Sequence, residues 1–267
     1  MITHKIRCIF RSRGISQCGF CTFQNVLPLL ETRSRSRVPP NPKTVFFALF
    51  PYYTGELPGR NLSRYAVPDD YHLIAGEILE SCCQALKECF PEEAFSWFVD
   101  SSPIREVHGA YLAGLGWMGR NGMLINPVFG SYVFIGEIVS TLDVPCKIEP
   151  LGKCLGCGLC RKLCPTGALT EAGVDETLCR SAITQKKGEL SDWEIRQVQE
   201  GGMVWGCDIC NDVCPMNHHV LPSNLPQFYE NPDSRITLEN LAALRKRKAF
   251  SYRSRAVMER NIRIVYR

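Results

Sequence analysis

The feature that most constrains this chain is a run of four cysteines that ends in a proline. Cys154, Cys157, Cys160 and Cys164 precede Pro165, so the spacing is C-x2-C-x2-C-x3-C-P. Such tight spacing lets three thiolates surround one metal cluster while the next turn directs the fourth thiolate elsewhere. The run therefore predicts that this part of the chain folds around bound metal and not around disulfide bonds.

A second, shorter copy of the run follows it along the chain. Its three cysteines precede Pro215 with the spacing C-x2-C-x3-C-P, and Cys179, between the two copies, can supply the missing ligand. In two-cluster ferredoxins the fourth cysteine of the run ligates the other cluster, so we expect two [4Fe–4S] clusters with crossed ligands. The first cluster takes Cys154, Cys157, Cys160 and Cys214, and the second takes Cys164, Cys179, Cys207 and Cys210.

The alternative for these cysteines is a pair of zinc sites. Zinc sites built from four cysteines usually have two separated C-x2-C pairs, which the compact run does not match. The chain has 15 cysteines in all, and an odd number argues against a secreted disulfide scaffold. Among the others, Cys18 and Cys21 form a lone C-x2-C motif without a second pair, and they are buried thiols, a redox-active pair or metal ligands. We therefore expect a reducing compartment, the cytoplasm.

Charge is distributed unevenly along the chain. Residues 1–64 carry 10 Lys/Arg and 2 Asp/Glu, residues 65–242 carry 12 and 24, and residues 243–267 carry 9 and 1. Two basic ends around an acidic centre suggest a polyanionic partner, although solvated basic faces explain the charge equally well. The candidates for phosphate contacts are Arg33, Arg35, Arg37, Arg245, Lys246, Arg247, Lys248, Arg253, Arg255, Arg260, Arg263 and Arg267.

Hydrophobic periodicity divides the chain into three parts. Residues 1–148 alternate strands and helices, which is typical of an α/β (α+β) domain. A ferredoxin-like domain at 149–220 and a short, basic, helical tail at 221–267 follow. No stretch approaches the roughly 20 apolar residues of a membrane-spanning helix, so we expect no membrane association. The predicted strands are 45–50, 95–99, 122–126 and 131–140, and the predicted helices are 71–90 and 104–115.

Four motifs in the first domain occur in order before the cysteine run. They are 65–72 (YAVPDDYH), Asp100 with 101–106 (SSPIRE), 113–121 (AGLGWMGRN) and 130–137 (GSYVFIGE). Together with the cysteines, they resemble the epoxyqueuosine reductase family over roughly residues 14–220. The chain differs from the better-known members at 67–69 and at Val107, and it stops about where they continue into helical repeats.

The resemblance implies a reductase that converts the epoxide of epoxyqueuosine in tRNA to the alkene of queuosine. The implied cofactors are cobalamin and two [4Fe–4S] clusters. The implied fold is a cobalamin-binding α/β domain, similar to that of reductive dehalogenases, beside a ferredoxin-like domain. The tRNA would meet the basic ends, and an external donor such as a flavodoxin or ferredoxin would deliver electrons.

The resemblance also implies site residues. Asp100 matches the family's proton-donating acid. To stay protonated near neutral pH it should lie in an apolar pocket that raises its pKa. The alternative role for Asp100 is a helix N-cap. The residues expected to contact cobalamin are Asp70, Tyr71, His72, Gly114, Gly116, Asn121, Gly130 and Ser131.

Two other functions remain open from the sequence. One is a paralogous reductase with the same cofactors that acts on an organohalide or a small epoxide. The other is a two-cluster electron-transfer protein whose first domain binds no corrin. The basic ends favour tRNA over a small substrate.

Overall fold

The computed structural model describes residues 2–146 and 152–267. The predicted boundary at 148–149 lies outside the described residues. The strands are β1 (Cys18–Thr22), β2 (Thr44–Pro51), β3 (Phe95–Val99), β4 (Trp117–Met118), β5 (Leu124–Ile125) and β6 (Val133–Ser140). The α-helices are α1 (Ile2–Arg11), α2 (Tyr71–Cys89), α3 (Glu106–Leu112), α4 (Leu159–Lys162), α5 (Arg180–Gln185), α6 (Asp192–Gly201), α7 (Ile209–Asp212), α8 (Leu241–Leu244) and α9 (Arg255–Val265). The 3-10 helices are Phe23–Val26, Arg33–Arg37, Arg64–Ala66, Pro215–Asn217, Pro226–Tyr229 and Ala249–Tyr252.

A four-stranded sheet in the order β1-β2-β6-β3 organises the first part of the chain. All of its pairings are antiparallel, and β2 pairs with β6 from Thr44 opposite Ser140 to Pro51 opposite Val133. Every residue of β2 is buried because the strand is internal to the sheet and both faces are covered. The mixed α and β class predicted from the sequence is confirmed, and the alternation of strands and helices builds an antiparallel sheet.

Helices cover the two faces of this sheet at close range. On one face α2 packs so tightly that a Cβ at Gly136 of β6 would lie 2.7 Å from Leu79 Cδ1. On the other face α3 approaches β2 at Gly109, where a Cβ would overlap the Phe47 ring. The start of α2 and the end of β3 thereby come together at one edge of the sheet, where Asp70 and Asp100 lie.

The cysteine-rich segment and the tail are packed onto the residues around position 62. Leu62 forms a parallel bridge with Trp205, and the Ser63 backbone N–H donates to the Trp205 carbonyl at 2.8 Å. Met258 and Ile262 of α9 bury their side chains in the same apolar cluster as Trp205. The tail is therefore helical, as predicted, and fixed to the rest of the molecule.

Two arginines, the partly buried Arg60 and the buried Arg64, tie the cysteine-rich segment to the first part of the chain. Arg60 pairs with Asp208 and, at 2.9 Å, with Asp212. Arg64 pairs with Asp212 at 3.2 Å, and Asp208 also accepts the Ser63 hydroxyl at 2.6 Å. Because Asp208 and Asp212 alternate with the predicted cluster cysteines, these contacts fix the second cysteine motif in space.

The strand predicted at 131–140 begins two residues later, at Val133. The Ser131 backbone N–H donates to the Asn217 side chain at 2.8 Å instead of joining the sheet. In the described ranges, no helix combines the length and apolarity needed to cross a membrane.

Candidate active site and cluster-binding segments

A cavity of about 690 Å³ lies where the sheet edge, the cysteine-rich segment and the tail meet. We call it the His72 cavity. It brings together the predicted residues Asp70, Tyr71, His72 and Asp100. Its lining residues are Tyr65, Asp70, Tyr71, His72, Asp100, Ser101, Gln185, Trp205, Ala249, Ser251 and Tyr252.

His72 is held between two carboxylates at the start of α2. Asp70 caps this helix by accepting the His72 backbone N–H at 3.0 Å, and its Oδ1 also lies 2.7 Å from His72 Nδ1. On the other side of the ring, His72 Nε2 lies 3.2 Å from Asp100 Oδ2. The Tyr71 ring stacks on both His72 and Phe134, with centroids 4.0 and 3.9 Å away. The imidazole is therefore fixed in orientation and aimed at Asp100.

The charges of this pair differ from the expectation for Asp100. The hydrogen bond from His72 lowers the pKa of the Asp100 carboxyl, against the opposing effect of burial. Burial disfavours the imidazolium, but the hydrogen bonds to Asp100 and Asp70 outweigh it and raise the pKa of His72 to about 9. The expected apolar pocket with a raised Asp100 pKa is therefore wrong for this structure, because Asp100 is 60% exposed and its hydrogen bond with His72 lowers its pKa.

Asp100 is not a helix N-cap, so the alternative role is wrong as well. Helix α3 begins only at Glu106, and the residue at its cap position is Arg105. Asp100 has a φ of 60°, a left-handed conformation that costs a non-glycine residue about 1–3 kcal/mol. Such strain is common where a side chain must be aimed at a reacting group.

The cysteines predicted for the first cluster lie near one another. Burial raises the pKa of the Cys214 thiol, and the neighbouring thiols of Cys154, Cys157 and Cys160 raise it further. Cys154 and Cys157 act in the same direction on Cys160. The structure thus brings Cys214 of the second motif to the first three cysteines of the first motif.

The cysteines predicted for the second cluster line a separate cavity of about 330 Å³, which we call the thiol cavity. All four of them, Cys164, Cys179, Cys207 and Cys210, are on its wall. At Cys164 the backbone N–H groups of residues 166, 168 and 169 and the Thr166 hydroxyl outweigh the effect of burial and lower the thiol pKa. Donors of this kind favour a thiolate, the form that ligates iron.

The two sets of cysteines are not arranged as binding sites for a single metal ion. Within the part of the chain that the structure describes, no three His, Cys, Asp or Glu side chains are close enough to hold one metal ion. The cysteines of the second set instead surround a cavity. Four thiolates around a cavity fit a polynuclear cluster, which separates its ligands more widely than one tetrahedral ion does.

A third cavity of about 710 Å³, which we call the Arg253 cavity, continues the space around the cysteines. Tyr65 lines both the His72 and thiol cavities, and Gln185 lines both the His72 and Arg253 cavities. Asn121, a predicted cobalamin contact, lines the thiol and Arg253 cavities. A broad groove walled by Tyr65, Tyr71 and other aromatic side chains fits a large, flat corrin beside the His72–Asp100 pair.

The remaining predicted cobalamin contacts are not among the residues that line these cavities. Gly114 ends α3 with a φ of 74°, and a Cβ at Gly116 would overlap the Ile125 carbonyl. A Cβ at Gly130 would overlap the Asn217 side chain, and the Ser131 hydroxyl donates to Asn211 at 3.0 Å. The close contacts at these positions are with the chain itself, and those of Gly130 and Ser131 hold the cysteine-rich segment in place.

Two residues that line the His72 cavity and lie far from His72 along the chain, Trp205 and Tyr252, were not identified from the sequence. Trp205 donates its indole N–H to the Tyr65 hydroxyl at 2.7 Å, and its ring contacts Phe250 and Tyr252. Tyr252 in turn bonds to Gln185. The position of Trp205, two residues before the predicted cluster ligand Cys207, could have indicated a place near the site. The local sequence around Tyr252 contains no pattern that predicts a position at a cavity.

The basic ends are only partly free to meet a polyanion. Lys248 is fully buried and bonded to the Val67 and Asn231 carbonyls, so its assignment as a phosphate contact is wrong. Arg260 donates to the Lys186 carbonyl at 2.9 Å. By contrast, the exposed helix Arg33–Arg37 lies beside the His72 cavity, because Ser34 bonds to the Ser101 carbonyl.

Comparison with known proteins identifies two matching families. Residues 34–101 match the family described as "Epoxyqueuosine reductase QueG, DUF1730". Residues 153–217 match the family described as "4Fe-4S double cluster binding domain".

Individual relatives extend these matches over most of the chain. An epoxyqueuosine reductase of Leadbetterella byssophila is 32% identical over 244 residues, which are 84% of this chain and 77% of the relative. One from Gloeobacter violaceus is 35% identical over 224 residues, 79% and 70% of the two chains. A crystal structure of epoxyqueuosine reductase with an epoxyqueuosine-modified tRNA-Tyr stem loop superposes with a TM-score of 0.83 at 23% identity, over 99% of this chain and 80% of the other.

Proposed function

This chain belongs to the epoxyqueuosine reductase family, and from that premise we propose that it reduces the epoxide of epoxyqueuosine in tRNA to the alkene of queuosine. The observation that carries the proposal is the position of the His72–Asp100 pair. It lies in a cavity that shares Tyr65 as a wall residue with the cavity lined by the four cysteines of the second cluster. A proton donor and an entry for electrons thus meet at one place. Reductases of this fold have been crystallised with an epoxyqueuosine-modified tRNA stem loop.

The proposed cofactors are the two [4Fe–4S] clusters and cobalamin. Cys154, Cys157, Cys160 and Cys214 would hold the first cluster, and Cys164, Cys179, Cys207 and Cys210 the second. When bound, cobalamin supplies a strongly reducing, nucleophilic cobalt. Tyr71, His72 and Asn121 would hold it in the groove, and Gly114, Gly116, Gly130 and Ser131 would support that groove from behind.

The residues of the chain handle the proton that the epoxide oxygen needs. At neutral pH His72 is the imidazolium and Asp100 the carboxylate, because their hydrogen bond favours both charges. Asp100 faces the cavity and is the group that meets the leaving oxygen. His72 passes its proton to the Asp100 carboxylate across the 3.2 Å contact, Asp100 passes it on to the oxygen, and Asp70 keeps the ring aligned during the transfer.

The remaining partners follow from the reaction. The tRNA would reach the His72 cavity past the exposed Arg33–Arg37 helix, and an external donor such as a flavodoxin or ferredoxin would reduce the clusters. We place the reaction in the cytoplasm, where tRNA is modified. We also retain the division into residues 1–148, 149–220 and 221–267 as a proposal, supported by the cluster-family match at 153–217.

Turnover of epoxyqueuosine-containing tRNA tests this function directly. We expect the cluster-loaded protein to form queuosine without oxygen when cobalamin and a strong reductant are present, and to form none when cobalamin is omitted. Cobalamin binding without turnover would favour the paralogous reductase on another substrate. Failure to bind cobalamin at micromolar concentration would favour the electron-transfer protein.

Substitution of Asp100 tests the assigned acid. We expect Asp100→Ala to lower the single-turnover rate by about 10²- to 10⁴-fold, the usual contribution of a general acid. Iron content and cobalamin binding should stay at the wild-type level. The matched control is Asp143→Asn at an exposed carboxylate outside the site. An Asp100→Ala protein with the wild-type rate would remove the acid from the mechanism.

A further inference from the structure

Two glutamates lie behind Asp100 without a cationic partner. Glu137 is fully buried in β6, and apart from the Ser102 hydroxyl that faces it neither of its carboxylate oxygens has a hydrogen-bond partner. Glu106 is half-buried at the start of α3, and its Oε1 is buried and unpartnered. Among residues 2–146 and 152–267 no Lys, Arg or His forms an ion pair with either glutamate; the salt bridges of the described chain involve other carboxylates.

The sheet register puts this pair next to the active-site loop. Glu137 lies opposite Phe98 of β3, and its neighbour Gly136 lies opposite Val99, the residue before Asp100. On the other side of β6, Glu137 lies opposite Phe47 of β2. The titratable groups that influence the pair are Asp100 for both glutamates, Tyr71 for Glu106 and the Cys21 thiol for Glu137. The Ser102 hydroxyl also faces Glu137.

A carboxyl group in this environment holds its proton. An unpaired charge in an apolar interior is so costly that the group neutralises instead. Burial, with a smaller contribution from the Asp100 charge, raises the pKa of Glu137 to about 8. Burial and the Glu137 charge raise the pKa of Glu106 as well. Because the charge of Glu137 acts on Glu106, the two carboxyls titrate together, and the pair remains at least partly protonated at neutral pH.

Stability alone does not explain these side chains. Glu137 lies between Phe47 and Phe98, two buried residues of one apolar cluster, where an apolar side chain would avoid burying a carboxyl. A buried titratable pair next to the loop that carries Asp100 is a candidate for a functional proton.

The proposed reaction consumes two protons for each epoxide. Two electrons and two protons break both bonds to the epoxide oxygen, form the carbon–carbon double bond and release water. His72 carries one of these protons, and Asp100 is ionised, so a second proton is needed.

We propose that Glu106 and Glu137 store this second proton and supply it to Asp100, an inference that rests on the proposed function. In the transfer an O–H bond of the pair breaks, the Asp100 carboxylate takes the proton, and the pair is left as an anion. Half-buried Glu106 then regains a proton from solvent. The pair is a positioning and proton-supplying unit, and Asp100 remains the group that meets the substrate.

Infrared titration of the cluster-loaded protein tests, without turnover, whether Glu106 and Glu137 hold a proton. We expect a protonated carboxyl band at neutral pH that shifts in D2O, weakens as the pH passes about 8 and is smaller in Glu137→Gln. Glutamine keeps the shape of the side chain and removes the titrating proton. The matched control is Glu77→Gln on the exposed side of α2, which should keep the band. Absence of the band from wild-type protein overturns the proposal.

The pH profile of turnover tests whether the stored proton is used. The wild-type rate should fall about tenfold per pH unit above the pKa of the pair, the slope for loss of one required proton. Glu137→Gln should lose that inflection and react at least tenfold more slowly at neutral pH, with unchanged KM for tRNA and unchanged iron, while Glu137→Asp should restore part of the rate. A pH profile of the Glu137→Gln rate that superimposes on the wild-type profile would overturn the proposal that the pair supplies a proton. Lack of any wild-type turnover counts instead against the proposed function.

Discussion

At the scale of single residues, Asp70, His72 and Asp100 show how two carboxylates can keep one imidazole charged. Each carboxylate accepts a hydrogen bond from a different ring nitrogen, so protonation of His72 satisfies both. The result is an ion pair in which the acid that faces the cavity is normally ionised. Asp100 can therefore donate a proton only when a neighbour resupplies it, which gives His72 a part in the chemistry beyond lining a pocket.

Titration of His72 by NMR tests this arrangement. We expect the wild-type imidazole to titrate near pH 9 and to move towards its ordinary value in Asp70→Asn, because one of its two acceptors is lost. The matched control, Asp143→Asn, should leave the titration unchanged. A His72 that titrates equally in wild type and Asp70→Asn contradicts the assignment.

The same shift predicts how stability depends on pH. The pKa of His72 is raised from an unfolded value of about 6.5, so its protonation stabilises the fold fully below that value. This contribution is lost as the pH rises through about 9. Denaturation of His72→Gln should therefore show a deficit relative to wild type in mildly acidic solution that shrinks in alkaline solution. A deficit that grows with pH would contradict the sign.

At the scale of elements, local signals were predictable and long-range pairings were not. The apolar run 45–50 indicated a buried strand, and β2 spans it with every residue buried. The spacing of the cysteines is a local property of the chain, so it indicated the ligand sets. The roles of Gly130 and Ser131 depend on Asn211 and Asn217, more than 75 residues away, and no local pattern reports such contacts.

The crossed ligand sets predict which cysteines act together. Cys214 should share a cluster with Cys154, and Cys164 should share one with Cys207. We expect Cys214→Ser and Cys154→Ser to lose the same electron paramagnetic resonance signal and about four of eight iron atoms, because each [4Fe–4S] cluster needs its four thiolates. Cys8→Ser, at an exposed thiol of α1, is the matched control and should keep all the iron. If Cys214→Ser instead matched Cys210→Ser, the ligands would not be crossed.

At the scale of the whole molecule, the three parts of the chain meet at one cavity. The sheet edge supplies His72 and Asp100, the cysteine-rich segment supplies Trp205, and the tail supplies Tyr252. Charge arithmetic alone indicated a polyanion partner at both ends but could not distinguish Lys248, which is buried, from arginines that remain exposed. That distinction depends on packing, because Lys248 is buried by its hydrogen bonds to backbone carbonyls of two distant loops.

The exposed arginines beside the His72 cavity make the last prediction. Replacing Arg33 and Arg35 together by alanine should weaken tRNA binding and reduce the slope of log affinity against log salt by about one unit per lost phosphate contact. Both side chains are exposed, and Ser34 between them is anchored to Ser101 at the cavity. The matched control is Lys87→Ala, because Lys87 is exposed but lies about 24 Å along α2 from Tyr71, at a rise of 1.5 Å per residue. Binding isotherms at several salt concentrations measure both effects. If Lys87→Ala lost as much affinity and as much salt dependence as the double arginine variant, tRNA binding would depend only on net charge. The proposed path of tRNA past the Arg33–Arg37 helix would then be wrong.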